Sequence, residues 1–192
     1  MITREKIGVL SIQGDFAKHI DALLKCSVPN QKIIQVKVPK DLEQVNRLIL
    51  PGGESTTVGL LMERYGLATA IQHAAQEGMP LWGTCMGMIL LAKHVENYSQ
   101  KTLGVLDISV KRNAFGTQIH SFEESIYFTP LEQTILGVFI RAPIVTQIGD
   151  QVKILAEYNH QVIAVQQNKV IATSFHPELT DDIQMHQWFL RL

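Results

Sequence analysis

The chain has 192 residues, of which 46% are hydrophobic, and its 17 Lys and Arg against 18 Asp and Glu give a formal net charge of -1. A chain of this length buries roughly 70% of the surface that its unfolded form exposes, so it can fold as one globular domain without metal ions or disulfides. The balanced charge provides no basic field that would attract polyanions, which argues against nucleic acid as a partner.

The N-terminal segment and the two cysteines bear on the location of the protein. The segment MITREKIGVLSIQGDF has neither the apolar core nor the small-residue cleavage site of a signal peptide. No apolar stretch approaches the ~20 residues that a membrane span needs. Cys26 and Cys85 are too few for a disulfide framework. We therefore expect a cytoplasmic protein with reduced thiols and no membrane contact.

The first half of the chain alternates short apolar runs with segments of helical periodicity. Asp15 is placed to cap the first of these helical segments. The runs that predict strands are 6–12, 32–38, 47–50 and 79–83. The first helical segment follows Asp15, another carries Val58, Leu61, Met62 and Tyr65, and a further one spans residues 84–95.

This alternation predicts a doubly wound, mostly parallel sheet with helices on both faces, because parallel strands need crossover connections. From about Leu103 onward, short apolar runs with little helical periodicity predict mainly antiparallel strands. Residues 180–192 predict a closing helix with acidic residues in its first turn. The expected fold is α/β, in one domain of residues 1–192 with an antiparallel, β-rich second half.

A turn with two glycines, PGGEST, follows the predicted strand 47–50. Its backbone at Gly52 and Gly53 can approach a ligand closely and offer N–H donors. The turn is a weak candidate for a phosphate-binding loop, because it lacks both G-x-G-x-x-G and a Walker lysine. As part of an oxyanion hole it fits well, because the carboxyl ends of parallel strands are where open α/β sheets bind ligands.

Cys85 lies between Gly83 and Gly87, directly after a predicted strand and before an apolar helix. A nucleophile on such a sharp turn needs small residues on either side, because the chain folds back on itself there. The helix N-terminus favours the thiolate, and the N–H of Met86 can donate to a developing oxyanion. Taken alone, a small buried thiol explains Cys85 equally well, and it is our interpretation of Cys26.

A nucleophilic cysteine needs a base, and His176 with Glu178 is the best candidate. Pro177 restricts the residue before it to extended conformations. Side chains two apart in an extended chain point to the same side, so Glu178 can hold one ring nitrogen and leave the other for the thiol. Without Cys85, we would interpret His176 and Glu178 as the polar end of a strand.

The other histidines lack this geometry. His94 and Glu96 also stand two apart, but we predict them at the end of a helix, where such residues do not face each other. We expect the remainder to be surface or satisfied histidines, namely His19, His73, His120, His160 and His186. The metal interpretation fails because the sequence contains neither H-E-x-x-H nor a P-C-x-x-C beside an H-x-E.

An elbow cysteine, a preceding P-G-G turn and a distant H-P-E together resemble the class I, triad-type glutamine amidotransferases. Further short sequence segments along nearly the whole chain resemble one branch of that family, the glutaminase subunits of pyridoxal phosphate synthase. These segments are GVLSIQGDFAKH, LILPGGESTT, KRNAFGTQ, SFEE, FIRAP and ATSFHPELTDD. The resemblance implies a flavodoxin-like fold.

The resemblance implies that Cys85 attacks the side-chain amide of L-glutamine, giving a γ-glutamyl thioester and ammonia, with His176 as base and then acid and Glu178 orienting it. Gly52, Gly53 and the Met86 amide would stabilise the oxyanion. The residues that would contact glutamine are Gly53, Glu54, Ser55, Arg112, Ile140 and Arg141.

The resemblance further implies that ammonia passes to a synthase subunit that makes pyridoxal 5'-phosphate, and that the glutaminase chain needs no cofactor. Hydrolysis without an acceptor wastes glutamine, so we expect docking of the partner to reorganise the Gly52–Gly53 peptide and complete the oxyanion hole. The chain departs from the family patterns G-T-C-A-G and A-F-G-R-Q at Met86 and Thr117. The first change keeps the N–H, and the second would alter a subunit contact or a local charge.

Two alternatives remain on the sequence alone. A cysteine hydrolase of related architecture could use the same triad on γ-glutamyl peptides. A regulatory subunit could retain the fold without catalysis, in which case Cys85→Ala would leave ammonia release unchanged.

Overall fold

The computed structural model describes residues 5–26, 31–114 and 121–192. The strands are β1 (Lys6–Leu10), β2 (Lys32–Val36), β3 (Arg47–Leu50), β4 (Leu81–Thr84), β5 (Ala92–Val95), β6 (Leu106–Lys111), β7 (Ser121–Phe128), β8 (Gln133–Ile140), β9 (Ile144–Ile148), β10 (Lys153–Tyr158), β11 (Gln161–Gln167) and β12 (Val170–Thr173). The helices are α1 (Phe16–Lys25), α2 (Pro39–Leu42), α3 (Ser55–Arg64), α4 (Leu67–Gln76), α5 (Met86–Leu91) and α6 (Gln184–Phe189). Short 3-10 turns form at Thr129–Leu131 and Pro177–Leu179.

One mixed sheet organises the described residues, with strand order β2-β1-β3-β4-β12-β11-β9-β6-β5 and β10 paired to β11. The strands from β2 to β12 in this order pair in parallel. Strands β12, β11, β9 and β6 pair antiparallel, and β7 with β8 forms a separate antiparallel hairpin. The predicted α/β class, with a parallel first half and an antiparallel second half, is confirmed.

Each face of the sheet carries its own apolar core, because successive strand side chains point to opposite faces. On β3, Leu48 and Leu50 pack into the core that α3, α4 and α5 cover. Ile49, between them, packs into the core that contains residues of α1, α6 and the β7–β8 hairpin. Helices therefore cover both faces, as expected for a doubly wound sheet.

Strand β12 joins the two halves of the chain. It comes from the antiparallel region but pairs in parallel with β4, with Ala172 beside Gly83 and Thr173 beside Thr84. The residues that follow β4 and β12 therefore leave the sheet at the same edge. This register brings the segment containing His176 next to Cys85.

The helix after Cys85 is shorter than predicted. It ends at Leu91, and Ala92–Val95 form strand β5, which pairs with β6. An apolar run alone does not distinguish helix from strand, and β6 supplies the hydrogen-bonding partner that decides for a strand. The predicted helical position of His94 is therefore wrong, although its side chain is exposed as expected.

Both predicted helix caps need correction. Asp15 occupies the N-cap position of α1, but its side chain makes no capping hydrogen bond. The closing helix begins only at Gln184, so it has no acidic residue in its first turn. Instead, Oδ1 of Asp182 accepts a hydrogen bond from the backbone N–H of Gln184 at 2.8 Å.

We expect Leu48→Ala to lower the free energy of unfolding by about 2–5 kcal/mol, because Leu48 is fully buried in the central strand and its removal leaves a cavity. Leu60→Ala is the matched control, since Leu60 is 58% exposed on α3 and should change stability by about 0.5 kcal/mol or less. Urea unfolding measures both. Equal losses would contradict the assignment of the core.

Candidate active site

Cys85 lies on a strained turn between β4 and α5. Its φ angle is 48°, in the left-handed region that non-glycine residues seldom adopt. A Cβ atom added to Gly83 would lie 2.4 Å from the carbonyl carbon of Gly87, and one added to Gly87 would lie 2.1 Å from the carbonyl oxygen of Leu50. Both positions therefore require glycine, and the predicted sharp turn is present.

The backbone of this turn is tied to its neighbours. The N–H of Cys85 donates to the carbonyl oxygen of Thr173 on β12 at 2.7 Å. Its Sγ lies 3.6 Å from the carbonyl oxygen of Ile140, at the end of β8, and the side chain interacts with the imidazole of His176. The thiol is thus held between two strand ends.

His176 and Glu178 form the predicted contact, with 2.7 Å between Nδ1 and Oε1. The local structure differs from the expectation, because Pro177–Leu179 is a 3-10 turn rather than extended chain. The N–H of His176 also donates to the carbonyl oxygen of Val138 on β8 at 2.8 Å. The imidazole ring is therefore fixed through both its backbone and its Nδ1.

The electrostatics of this pair favour a protonated imidazole. Burial by itself lowers the pKa of His176, but the hydrogen bonds and charges of Cys85 and Glu178 outweigh it and raise the pKa of His176 to about 10. Burial alone would raise the pKa of Glu178, yet the interactions with His19 and His176 keep it below its usual range. The arrangement suits an imidazolium between a sulfur nucleophile and a carboxylate.

The double-glycine turn packs against this histidine. A Cβ atom on Gly52 would lie 2.3 Å from Cε1 of His176. The carbonyl oxygen of Gly52 accepts a hydrogen bond from the N–H of Asp15 at 3.1 Å. A Cβ atom on Gly53 would lie 3.5 Å from Sδ of Met86, so the two turns are in contact range.

A pocket of about 350 Å³ opens beside the cysteine. Nine of the residues predicted for the site border it, while Gly52 packs against His176 and Glu178 lies behind the histidine. The full lining comprises Gln13, Asp15, Gly53, Glu54, Ser55, Cys85, Met86, Ile89, Arg112, Asn113, Ile140, Arg141 and His176.

Arg112 enters the pocket through a small polar network. Its guanidinium lies 3.4 Å from Oε1 of Glu54 and 3.1 Å from Oε1 of Gln100, and it stacks over the ring of Tyr98. The same Gln100 oxygen accepts a hydrogen bond from Ser55 Oγ at 3.0 Å. Sequence reasoning missed Gln100 and Tyr98, which fold back onto Arg112 from the segment after β5.

Glu54 has a structural task as well as a place in the pocket. Its carboxylate caps α3 by accepting hydrogen bonds from the N–H groups of Thr56 and Thr57 at 3.1 and 2.8 Å. Slight burial opposes ionisation, but these hydrogen bonds lower the pKa of Glu54 to about 2. Glu54 is therefore a fixed negative charge at the rim of the pocket.

His19 and His186 are buried, hydrogen-bonded histidines, which confirms one of the two expected states, but the expectation that they lack partner geometry is wrong. Both are fully buried, and Nδ1 of His19 lies 3.0 Å from Nε2 of His186. Nε2 of His19 lies 3.3 Å from Oε2 of Glu178. The available signal was that His19 belongs to the apolar stripe of α1 with Ile20 and Leu23, an unusual position for a histidine with no partner.

A larger cleft of about 720 Å³ lies away from this site, between α4, residues 103–105 and the start of β12. Lys169 is the charged residue of its lining, which contains no cysteine, histidine or carboxylate. Its size alone gives no chemistry, whereas the smaller pocket holds the nucleophile and base.

Other expectations concern metals, membranes and Thr117. Among the described residues, no group of three or more His, Cys, Asp and Glu side chains is arranged to hold a metal ion. None of the helices in residues 5–26, 31–114 and 121–192 has the length and apolar character to cross a membrane. Thr117 and His120 lie outside the described residues.

The fold and the site together define an α/β protein with a nucleophile elbow. A profile of the SNO glutamine amidotransferase family matches residues 9–192. The chain is also 46% identical over 187 residues to a pyridoxal 5'-phosphate synthase subunit PdxT of Desulforamulus reducens, covering 97% of this chain and 98% of the relative. The PdxT of Thermotoga petrophila is 44% identical over 188 residues, with the same coverage. The chain belongs to the SNO glutamine amidotransferase family.

Solved structures agree with this assignment. One described as the crystal structure of glutamine amidotransferase superposes with a TM-score of 0.91 at 44% identity, covering 96% of this chain and 97% of that chain. The structure of PurLQS from Thermotoga maritima superposes with a TM-score of 0.71 at 19% identity, covering 98% of this chain and 99% of that chain. At that identity the second similarity concerns the fold alone.

We expect Cys85→Ser to lower the pKa of His176 from its raised value of about 10, because the substitution weakens an interaction that stabilises the imidazolium. The ring-carbon chemical shift of His176, followed by NMR as the pH is raised, measures this change. Cys26→Ser is the control, since Cys26 directly follows α1 and its Sγ donates to the carbonyl oxygen of Ala22. An unchanged titration in Cys85→Ser would mean that the two side chains are not coupled.

Proposed function

We propose that this chain hydrolyses L-glutamine to L-glutamate and ammonia through Cys85, and delivers the ammonia to a subunit that makes pyridoxal 5'-phosphate. The observation that carries the proposal is the strained elbow cysteine, which shares a pocket with a histidine whose Nδ1 lies 2.7 Å from a buried carboxylate oxygen. Membership of the SNO family and near full-length identity to PdxT subunits support the choice of substrate and partner. The two halves share one sheet, which supports a single domain of residues 1–192.

The first half-reaction breaks the amide bond. The Cys85 thiolate attacks the side-chain carbonyl carbon of glutamine, and a tetrahedral intermediate with a negatively charged oxygen forms. Protonated His176 gives its proton to the amide nitrogen, so that ammonia leaves and a γ-glutamyl thioester remains. The raised pKa of His176, about 10, supports its role as the acid in this step.

The second half-reaction returns the enzyme to its starting state. His176, now neutral, takes a proton from water as the water attacks the thioester carbon. Glutamate then leaves, and the Cys85 thiolate and the His176 imidazolium form again. Glu178, with Oε1 2.7 Å from Nδ1 of His176, keeps the ring oriented and stabilises its charge throughout.

The oxyanion would receive hydrogen bonds from the backbone of Met86 and of the Gly52–Gly53 turn. Met86 is the first residue of α5, so its N–H has no acceptor within the helix. In this structure the Gly52 carbonyl is held by the N–H of Asp15 at 3.1 Å. We infer that docking of the synthase subunit moves this peptide and directs the Gly53 N–H at the oxyanion.

The far side of the pocket would recognise the amino-acid end of glutamine. Arg112 is 25% exposed and its guanidinium is preoriented by Gln100 and Tyr98, which supports contact with the α-carboxylate. Glu54 and Ser55, at the start of α3, with Gly53 before them, would bind beside it. The end of β8 at Ile140 and Arg141 would close the opposite wall.

We expect Arg112→Leu to raise the KM for glutamine by roughly 10- to 100-fold with a smaller effect on kcat, because a charge-assisted hydrogen bond to substrate contributes about 1.5–3 kcal/mol. Steady-state ammonia release measures both constants. Arg64→Leu, which removes an exposed arginine at the end of α3, should leave them unchanged. A fall in kcat alone would argue against substrate binding by Arg112.

The decisive experiment measures ammonia release from glutamine with and without the pyridoxal 5'-phosphate synthase partner. We expect strong stimulation by the partner, and we expect Cys85→Ala to lower the rate by about 10³-fold or more. Cys26→Ala is the matched control and should retain activity. Unchanged activity in Cys85→Ala would favour a non-catalytic subunit, and full activity of the chain alone would contradict activation by docking.

Substrate profiling separates the proposal from hydrolysis of γ-glutamyl peptides. The pocket of about 350 Å³ is a small one for a binding site and supports a compact substrate such as free glutamine. A γ-glutamyl peptide processed faster than glutamine would overturn the assignment. We also propose a cytoplasmic location, which the two free cysteines support.

A further inference from the structure

A row of buried polar groups continues behind Glu178, on the side away from Cys85. Oε2 of Glu178 lies 3.3 Å from Nε2 of His19, and that nitrogen lies 3.0 Å from Oγ1 of Thr84. Nδ1 of His19 lies 3.0 Å from Nε2 of His186. The row therefore runs from the triad carboxylate through His19 to His186.

Burial favours the neutral form of both histidines in this row. Burial lowers the pKa of His19, and Glu178 only partly opposes it. Burial, with the neighbouring His19, lowers the pKa of His186 to about 3. Each ring therefore carries one proton near neutral pH, and the hydrogen bond between them fixes which nitrogen holds it.

One of the two possible arrangements leaves a buried N–H without an acceptor. If His19 carried its proton on Nδ1, then His186 would carry its proton on Nδ1, which has no hydrogen-bond partner among the described residues. The bare Nε2 of His19 would then face a carboxylate oxygen at 3.3 Å. Orphaned buried N–H groups are rarer than under-satisfied acceptors, so this arrangement is disfavoured.

The opposite arrangement gives every ring N–H of the two histidines an acceptor. His186 donates its Nε2–H to Nδ1 of His19, and His19 keeps its own proton on Nε2, between Thr84 Oγ1 and Glu178 Oε2. Two buried atoms then have no other hydrogen-bond partner among the described residues, the bare Nδ1 of His186 and Oε2 of Glu178, and the second is the oxygen that faces the His19 N–H at 3.3 Å. The 3.3 Å separation is longer than a standard hydrogen bond, which fits one proton shared between two acceptors.

Packing holds the two rings in place. The rings of His19 and His186 contact the buried indole of Trp82 at centroid distances of 5.7 and 5.0 Å. The indole N–H donates to Oγ1 of Thr173 at 3.2 Å, in the strand next to Thr84. His19 is therefore fixed against the sheet and cannot turn away from Glu178 without disturbing the core.

We propose that His19 is a positioning residue of the triad, which donates its Nε2–H to the second oxygen of Glu178, while His186 fixes the tautomer of His19. Because its partner is a neutral donor, Glu178 stays ionised and stays aligned with Nδ1 of His176, the one cation of the row. The expected effect of His19 on glutamine hydrolysis rests on the proposed function. The expected effect of His19 on the reactivity of Cys85 does not.

Other charged groups near Glu178 define what else could alter its ionisation. His176 and His19 face its two oxygens. Asp15 acts on His19 from the start of α1. The remaining charges border the surface cleft behind the 3-10 turn, and they are Lys18, Asp21, Lys25 and Asp181.

The test compares His19→Leu, which removes the donor, with His19→Gln, whose side-chain amide restores an N–H near the position of Nε2. Two readouts are followed against pH in the full-length chain with its synthase partner: ammonia release, and alkylation of Cys85 by iodoacetamide detected by mass spectrometry. His73→Leu is the control, because His73 is an exposed histidine on α4 that pairs with Glu77.

In His19→Leu we expect kcat to fall by about 10-fold, with little change in KM, as for other residues that orient a reacting group. We also expect the acid limbs of both profiles to move to higher pH, because Glu178 loses a hydrogen-bond donor that favours its charged form. In His19→Gln both should return toward wild type. The proposal would be overturned if His19→Leu kept both the wild-type rate and the wild-type acid limb. It would also be overturned if His19→Leu and His19→Gln lost the same activity while their acid limbs stayed in place, because that result would indicate a loss of packing alone.

A second substitution keeps the proposal testable if His19→Leu does not fold. His186→Leu removes the group that fixes the His19 tautomer without touching Glu178, and we expect a smaller shift of the acid limb in the same direction. An unmoved limb in folded His186→Leu would overturn the proposed row. Wild type and Cys85→Ala are measured alongside. If Cys85→Ala still releases ammonia, the proposed function is overturned. The alkylation profiles of wild type and the His19 variants test the role of His19 independently of that result.

Discussion

The close approach of two strand ends and one helix start through glycines is the constraint on which the site depends. Gly87 packs on the carbonyl of Leu50, and Gly83 packs on Gly87, so β3, β4 and the start of α5 meet without room for a methyl group. This packing holds Cys85 at a φ of 48°, a conformation that costs of the order of 1–3 kcal/mol and persists only when its surroundings impose it. The thiol is thereby presented to a pocket rather than buried in the sheet.

The same strand edge gathers the groups that act on the thiol. Parallel pairing of β12 with β4 brings His176 to Cys85, and β3 leads into Gly52, which has no side chain and so lets the imidazole pack against its backbone. An open parallel sheet binds ligands at the carboxyl ends of its strands, and here the nucleophile, base and double-glycine turn all follow such ends. The antiparallel half contributes the wall formed by the end of β8.

Burying these charges requires that they compensate one another. Glu178 is ionised in a fully buried position, where an unpaired carboxylate would be costly. Imidazole groups on both of its oxygens provide the compensation, one as a cation and one, by our proposal, as a neutral donor. This division explains how three histidines can lie near one carboxylate while only His176 holds a raised pKa.

The sequence by itself determined the strand-turn-helix order, the need for glycines around Cys85 and the pairing of His176 with Glu178, because each depends on neighbours within a few residues. Only the tertiary structure decided which other side chains join them. His19 reaches Glu178, and Gln100 joins Arg112 to Ser55, across distances in the chain that no local spacing encodes. His94 leaves the predicted helix for the same reason: β6, a separate segment, provides the hydrogen bonds that make its surroundings a strand.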